Sequence, residues 1–138
     1  MRTEPKILVA IRKRPLLKRD LAKNDQDIVE IRSEKELVVK ELRAKLDLTP
    51  YIEEHRFTFD ATFDESSNNY HIYQVLLKPL VASAFENAKI NVFAYGQTGS
   101  GKTFTMMGNP EAGIPGLYLL AIEDLFSQLI RYQDLEQT

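Results

Sequence analysis

Two periodicities alternate along this chain, and the switches between them divide it into elements. Ile7 to Ile11 is a continuous apolar run that reads as a buried strand, ended by Pro15. Leu16 to Gln26 mixes charges of both signs and predicts a short surface helix. Ile28 to Ile31 and Leu37 to Lys40 predict two more strands, with Ser33 to Glu36 as the turn between them. Glu41 to Glu54 is highly charged and holds Pro50, which predicts an extended hairpin or a protruding loop. Phe57, Phe59, Ala61 and Phe63 alternate with Thr58, Asp60, Thr62 and Asp64, the period of one half-buried strand.

The period then changes. Ser66 to Asn69 is a helix-capping cluster. Tyr70, Tyr73, Leu76, Leu77, Leu80, Val81, Ala84 and Phe85 follow at spacings of three and four, one apolar stripe of a helix. Pro79 lies inside it and predicts a kink or a break. Ile90 to Tyr95 is a β-branched and aromatic run that reads as a buried strand. Asn109 to Pro115 is a turn region. Leu117 to Tyr132 predicts a last helix with Leu119, Ile122, Phe126, Leu129 and Ile130 on one face. The chain holds no internal repeat and no low-complexity segment. Strands and helices in this order predict an α/β sandwich with its ligand at the carboxyl end of a strand.

Between the Ile90 to Tyr95 run and the next helix stands Gly96-Gln97-Thr98-Gly99-Ser100-Gly101-Lys102-Thr103, a complete G-x-x-x-x-G-K-[ST] phosphate-binding loop in its required strand–loop–helix setting. Glycines let successive backbone N–H groups turn inward onto phosphate oxygens. Lys102 is the expected point charge on the β- and γ-phosphates, and the Thr103 hydroxyl the expected ligand to Mg²⁺. Phe104 to Met107 continue as the first turns of a helix. Such an enzyme also needs an acidic residue on the Mg²⁺ side. Leu119 to Asp124 resembles an apolar strand ending in acids, but its continuation keeps helical period and is rejected as that element.

Composition narrows the class. The 138 residues fit one domain or part of one, with 43% hydrophobic residues and a net charge of −2. No overall basic footprint argues for nucleic-acid binding. The absence of cysteine excludes disulfides and thiolate metal sites. His55 and His71 stand isolated and read as surface or packing histidines. No apolar run reaches membrane-spanning length, so no membrane partner is expected. Met1 to Lys6, followed by a short apolar stretch ending in Arg12-Lys13-Arg14, does not read as an export leader. An intracellular protein is expected.

Val92 to Met106 resembles the phosphate loop of the kinesin motor domain, which typically runs close to FAYGQTGSGKTHTM. Ile7 to Pro15 is similar to that family's V-x-V-R-x-R-P segment, and Phe59 to Asp64 to its F-x-F-D-x-V-F strand. The resemblance implies a three-layer α/β phosphate-loop fold, with a mostly parallel or mixed central sheet between helices and a small β-hairpin extension. It implies that Arg12, Arg14 and Pro15 border the adenine, and that Phe104 does so where the family more often has His. An aromatic ring there can still stack on a base. Within the family, Arg12 to Leu16, Asp20 to Lys23 and Asp47 to Thr49 are similar to the kinesin-13 class of internal, microtubule-depolymerising motors. That class carries a hairpin tipped by Lys-Val-Asp; here the matching place is Lys45-Leu46-Asp47, the implied tubulin contact.

The resemblance thus implies ATP or ADP with Mg²⁺ as ligands, tubulin and microtubules as partners, and a cytoplasmic, cytoskeletal or spindle location. It covers the first part of a motor domain only, residues 1–138. The serine-rich switch segment and the D-x-x-G switch have no counterpart here, as expected of a fragment or a truncated product. The full motor would be a microtubule-dependent ATPase; the 138-residue chain is expected to bind nucleotide without turnover. A nucleotide- or partner-binding module without turnover, and the start of a different phosphate-loop enzyme, are the alternatives.

Overall fold

The computed structural model describes residues 7–136, so the Met1 to Lys6 reading lies outside the described residues. The chain divides at Ser66 and Ser67 into two compact units.

The first unit holds β1 (Ala10–Arg12), α1 (Lys18–Ala22), β2 (Val29–Ile31), β3 (Glu36–Ala44), β4 (Pro50–Thr58) and β5 (Ala61–Phe63). β1 and β5 pair in parallel, Ala10 against Ala61 and Arg12 against Phe63. The Lys13 amide extends this ladder to the Phe63 carbonyl at 2.8 Å. β2, β3 and β4 form an antiparallel meander. All three residues of β5 are buried, and Leu37 and Val38 are buried at the base of β3. Ile7, Leu8 and Val9, expected inside, are exposed. Regular pairing with β5 begins only at Ala10.

The period-two run 57–63 is not one strand. The Phe59 amide donates to Lys35 at 2.9 Å, continuing the β3 side, whereas the Asp60 amide donates to Val9 at 2.9 Å and opens the β1 side. The Asp60 carboxylate also accepts from the Val9 amide at 2.8 Å. The chain bends at Asp60 and changes sheets there, and the alternation ends with it: Phe57 is exposed, while Thr62 is buried beside Ala61 and Phe63.

The second unit holds α2 (Asn69–Ile72), a π turn (Tyr73–Leu77), α3 (Lys78–Ala84), α4 (Lys102–Met107), β6 (Gly108–Asn109), a 3₁₀ turn (Pro110–Ala112), β7 (Ile114–Pro115) and α5 (Leu117–Glu136). Asn68 caps α2 as expected, its side chain accepting from the His71 amide at 2.8 Å. Pro79 has no N–H to give to the turn before it. The helix answers with the π turn, where the Lys78 amide reaches back five residues to Tyr73, and then restarts with Pro79 in its first turn. The extra residue moves the buried stripe to Ile72, Tyr73, Leu77 and Val81.

Two expectations fail in this unit. Ile90 to Tyr95 forms no assigned strand, and Phe93 and Tyr95 are 83% and 96% exposed. A doubly buried strand needs ladder neighbours and covering helices, and no strand among the described residues pairs with this run. On α5, Leu119, Ile122, Phe126, Leu129 and Ile130 are exposed, while Leu117 and Leu120 are buried. Asp124 lies on the side that meets α2 and the π turn. It accepts from the Tyr73 hydroxyl at 2.5 Å and from the Gln128 amide at 3.1 Å. The Tyr73 hydroxyl pushes the Asp124 carboxyl below the usual range, and burial together with that carboxylate pushes the Tyr73 phenol up. A polar pair, Tyr73 and Asp124, occupies the packed side of the helix.

Burial along β3 gives a direct test. Val38 is fully buried, whereas Leu42, four residues further out on the same strand, is 72% exposed. Val38→Ala is expected to cost roughly 2 kcal/mol through lost burial and the cavity it leaves. Leu42→Ala should stay within about 0.5 kcal/mol. Urea titrations of both variants followed by circular dichroism check the contrast.

Candidate functional site

The phosphate loop is built by its backbone. Gly99 and Gly101 take left-handed conformations, φ +80° and +98°, where a Cβ strains the chain. Gly101 is the residue immediately before α4. The Ser100 amide donates to Gln97 at 3.1 Å and closes the turn. The first bond of the α4 ladder runs from Thr105 to the Gly101 carbonyl at 2.9 Å. The amides of Lys102 and Thr103 therefore lie before that ladder and are donors a helix start leaves over.

Three side chains complete the loop. The Lys102 ammonium donates to the carbonyls of Gly96 at 2.7 Å and Gln97 at 2.9 Å. Those bonds fold the long side chain over the loop and use two of its three protons. The third suits an anion held against the loop. The Ser100 hydroxyl oxygen is buried without a hydrogen-bond partner. Orphans of this kind mark a place for a ligand oxygen or an ordered water. Thr103, exposed in the first turn of α4, supplies a hard hydroxyl oxygen of the type Mg²⁺ takes. Gly96, Gln97 and Thr98 form the approach to this turn, and the donor set fits a polyphosphate with its cation.

Phe104 continues α4 with its ring partly exposed. Its carbonyl accepts from the Asn69 side chain at 3.0 Å, and the same Asn69 amide nitrogen donates to Pro115 at 2.9 Å. Asn69 is 2% exposed. In the sequence it reads only as part of a capping cluster. The available signal was a second Asn directly behind the cap, where the first turn of an amphipathic helix turns inward.

The expected adenine-side residues belong to the first unit. Arg12 is half-buried at the end of β1, and burial pushes its pKa down. Arg14 is tied down locally, donating to Asp20 at 2.6 Å and to the Pro15 carbonyl at 2.9 Å. Asp20 in turn accepts from the Leu17 amide at 2.9 Å and so caps α1. Arg14 and that amide hold its carboxyl below the usual range. Pro15 is exposed. Lys13, between the two arginines, bridges Asp27 at 2.6 Å and Glu65 at 3.2 Å. Burial opposes its charge, yet the two carboxylates outweigh it and raise its pKa. Lys13 and Arg14 thus both anchor the segment.

Lys45, Leu46 and Asp47 sit in the connection of the β3–β4 hairpin, which is the extended form of the two expected. The Leu48 amide donates to Lys45 at 2.9 Å and the Lys45 amide to Thr49 at 3.0 Å. Leu46 is fully exposed, and the Asp47 carboxylate accepts from the Thr49 amide at 3.0 Å. Below the tip, Glu41 and Glu53 stand directly opposite each other. Like charges so placed repel. Arg43 answers them, 3.1 Å from Glu41 and 2.7 Å from Glu53, and His55 pairs with Glu41 at 2.9 Å. His55 is therefore not isolated, but its cluster is already served by a guanidinium.

Comparison with known proteins agrees with this geometry. A solved structure of a fast kinesin, described for its ATPase mechanism and interactions with microtubules, superposes with a TM-score of 0.75 at 30% sequence identity. The match covers 88% of this chain and 32% of that one, so the chain spans about a third of its length. The family model for the kinesin motor domain matches residues 12–138. With a formed phosphate loop inside a match that runs over nearly all its length, the chain belongs to the kinesin motor domain family.

Proposed function

We propose that this chain binds ATP and ADP with Mg²⁺ on the Gly96 to Thr103 loop, as the nucleotide-binding part of a microtubule-based motor ATPase. The observation that carries the reading is the left-handed entry into α4, which sets Lys102 and Thr103 on the first turn behind a buried, unpartnered Ser100 hydroxyl. When Mg²⁺ is bound it neutralises charge on the phosphates. The chain's own residues do the rest. Loop amides accept no proton and give hydrogen bonds only, Lys102 supplies a fixed positive charge, and Thr103 gives an oxygen to the cation. Arg12, Arg14, Pro15 and Phe104 take the base side, through packing and ring contact more than through base-specific hydrogen bonds.

The finer reading is a motor of the depolymerising class, located on cytoplasmic or spindle microtubules. Its support is the two-stranded β3–β4 hairpin, nine residues on each strand, with Lys45, Leu46 and Asp47 at its end. At about 3.4 Å per residue this reaches roughly 30 Å. An apolar residue between opposite charges favours register over raw affinity in a contact with a curved tubulin surface.

Lys102→Ala is expected to weaken Mg²⁺-ATP binding about 10- to 100-fold, the loss of a charge-assisted contact to phosphate. Calorimetry on wild type and variant of equal thermal stability reads this. Equal affinity removes the loop's assignment.

Replacing Lys45, Leu46 and Asp47 together by alanine in a complete motor domain is expected to abolish shortening of stabilised microtubules while nucleotide affinity stays unchanged. Video microscopy beside a nucleotide titration separates the two. Shortening at the wild-type rate leaves an unspecified kinesin.

A further inference from the structure

α4 is only six residues long, about 9 Å of helix at 1.5 Å per residue. A helix so short has little rigidity from its own ladder, and its direction is set by what grips its ends. Its N-terminal end is the glycine loop. Besides the packing of α4 against α5, three contacts among the described residues hold its C-terminal end. The Gly108 amide caps it by donating to the Phe104 carbonyl. Gly116 lies so close to it that a Cβ there would fall 2.2 Å from the Met106 carbonyl oxygen. The third grip is Asn69, whose side-chain amide has two protons and gives one to Phe104, inside α4, and one to Pro115, in β7. β7 is itself paired to the chain leaving α4, Pro115 opposite Gly108. Asn69 therefore ties the helix carrying Lys102 and Thr103 to the strand that flanks its exit, from a buried position at the start of α2.

We propose that Asn69 is a positioning residue for the phosphate site. It fixes the direction of α4, and through α4 the place of the Thr103 hydroxyl. It touches no ligand itself. The proposal rests on the nucleotide reading above. The consequence is specific, because the two halves of the site are anchored differently. The Lys102 ammonium is held by Gly96 and Gln97, upstream of α4. Thr103 has no such tether and follows the helix. Loss of Asn69 should therefore strike the contribution of Mg²⁺ more than the contribution of the loop and Lys102.

The test is calorimetry of the 138-residue chain with ATP in Mg²⁺ and with ATP in EDTA, for wild type, Asn69→Leu and Lys102→Ala. Leu keeps the branch at Cγ, is larger than Asn, and removes both donors. Asn69→Leu is expected to lose about tenfold in affinity for Mg²⁺-ATP, the scale of one or two unsatisfied buried carbonyls. For Mg²⁺-free ATP it should stay within about twofold. Thermal melts confirm that the variant is folded at the assay temperature. If it is not, Asn69→Ser, smaller and keeping one donor, is read by the same ratio. A loss of equal size with and without Mg²⁺ makes Asn69 a merely structural residue and overturns the proposal, as does no loss at all. If Lys102→Ala also binds like wild type, the nucleotide reading falls and takes this proposal with it. Loss in Lys102→Ala beside wild-type behaviour in Asn69→Leu overturns the proposal alone.

Discussion

Gly101 enters α4 at φ +98°, and the candidate site is arranged around that bend. An L-residue with a Cβ pays about 1–2 kcal/mol to sit in the left-handed region. The bend turns the chain from loop to helix within one residue, so the Lys102 and Thr103 amides lie before the helical ladder and both side chains leave from its first turn. The remaining features serve that geometry. Lys102 folds back on Gly96 and Gln97, Ser100 turns its hydroxyl inward, and the far end of α4 is gripped by Asn69 and the close approach of Gly116. A short helix between a glycine loop and a clamped exit can present two functional side chains without a long ladder behind it.

Legibility followed the range of the forces involved. The phosphate loop, the Asn68 cap and the break at Pro79 are set by φ preference or by a missing N–H within a few residues, and sequence reads them directly. The hairpin was legible in part for a similar reason, since its strands are neighbours in sequence: Glu41 to Glu54 suggested a hairpin or loop, and the paired strands run on to Glu36 and Thr58. Ile90 to Tyr95 was not. A strand exists only through its ladder, and the apolar run reports a demand for neighbours rather than their presence. The run 57–63 shows a subtler limit. Its period of two breaks where Phe59 and Asp60 bond to different sheets and Thr62 is buried with its neighbours, which only non-local pairing decides.

The candidate site residues divide in the same way. Gly96 to Thr103 are picked out by their spacing alone. Asn69, Lys13 and the Tyr73–Asp124 pair act by joining segments apart in sequence, and of these only Asn69 has a local signal, its place directly behind the cap. On α5 this misdirected the face assignment, because the packed side carries Asp124 beside Leu117 and Leu120. Buried polar residues with both partners in place cost little and specify one arrangement. Apolar counting along a helix overlooks them. The mixed α/β class survives these corrections, with a parallel pair in one unit and helices framing the loop in the other.

The most direct test of the central claim is an amide-resolved NMR titration of the chain with Mg²⁺ and a non-hydrolysable ATP analogue. Backbone donors are held to cradle the phosphates, so the amides of Gly99 to Thr103 should show the largest shifts and saturate together. The α5 amides beyond Asp124 should barely move. Saturable shifts elsewhere with residues 99–103 unchanged would contradict the account.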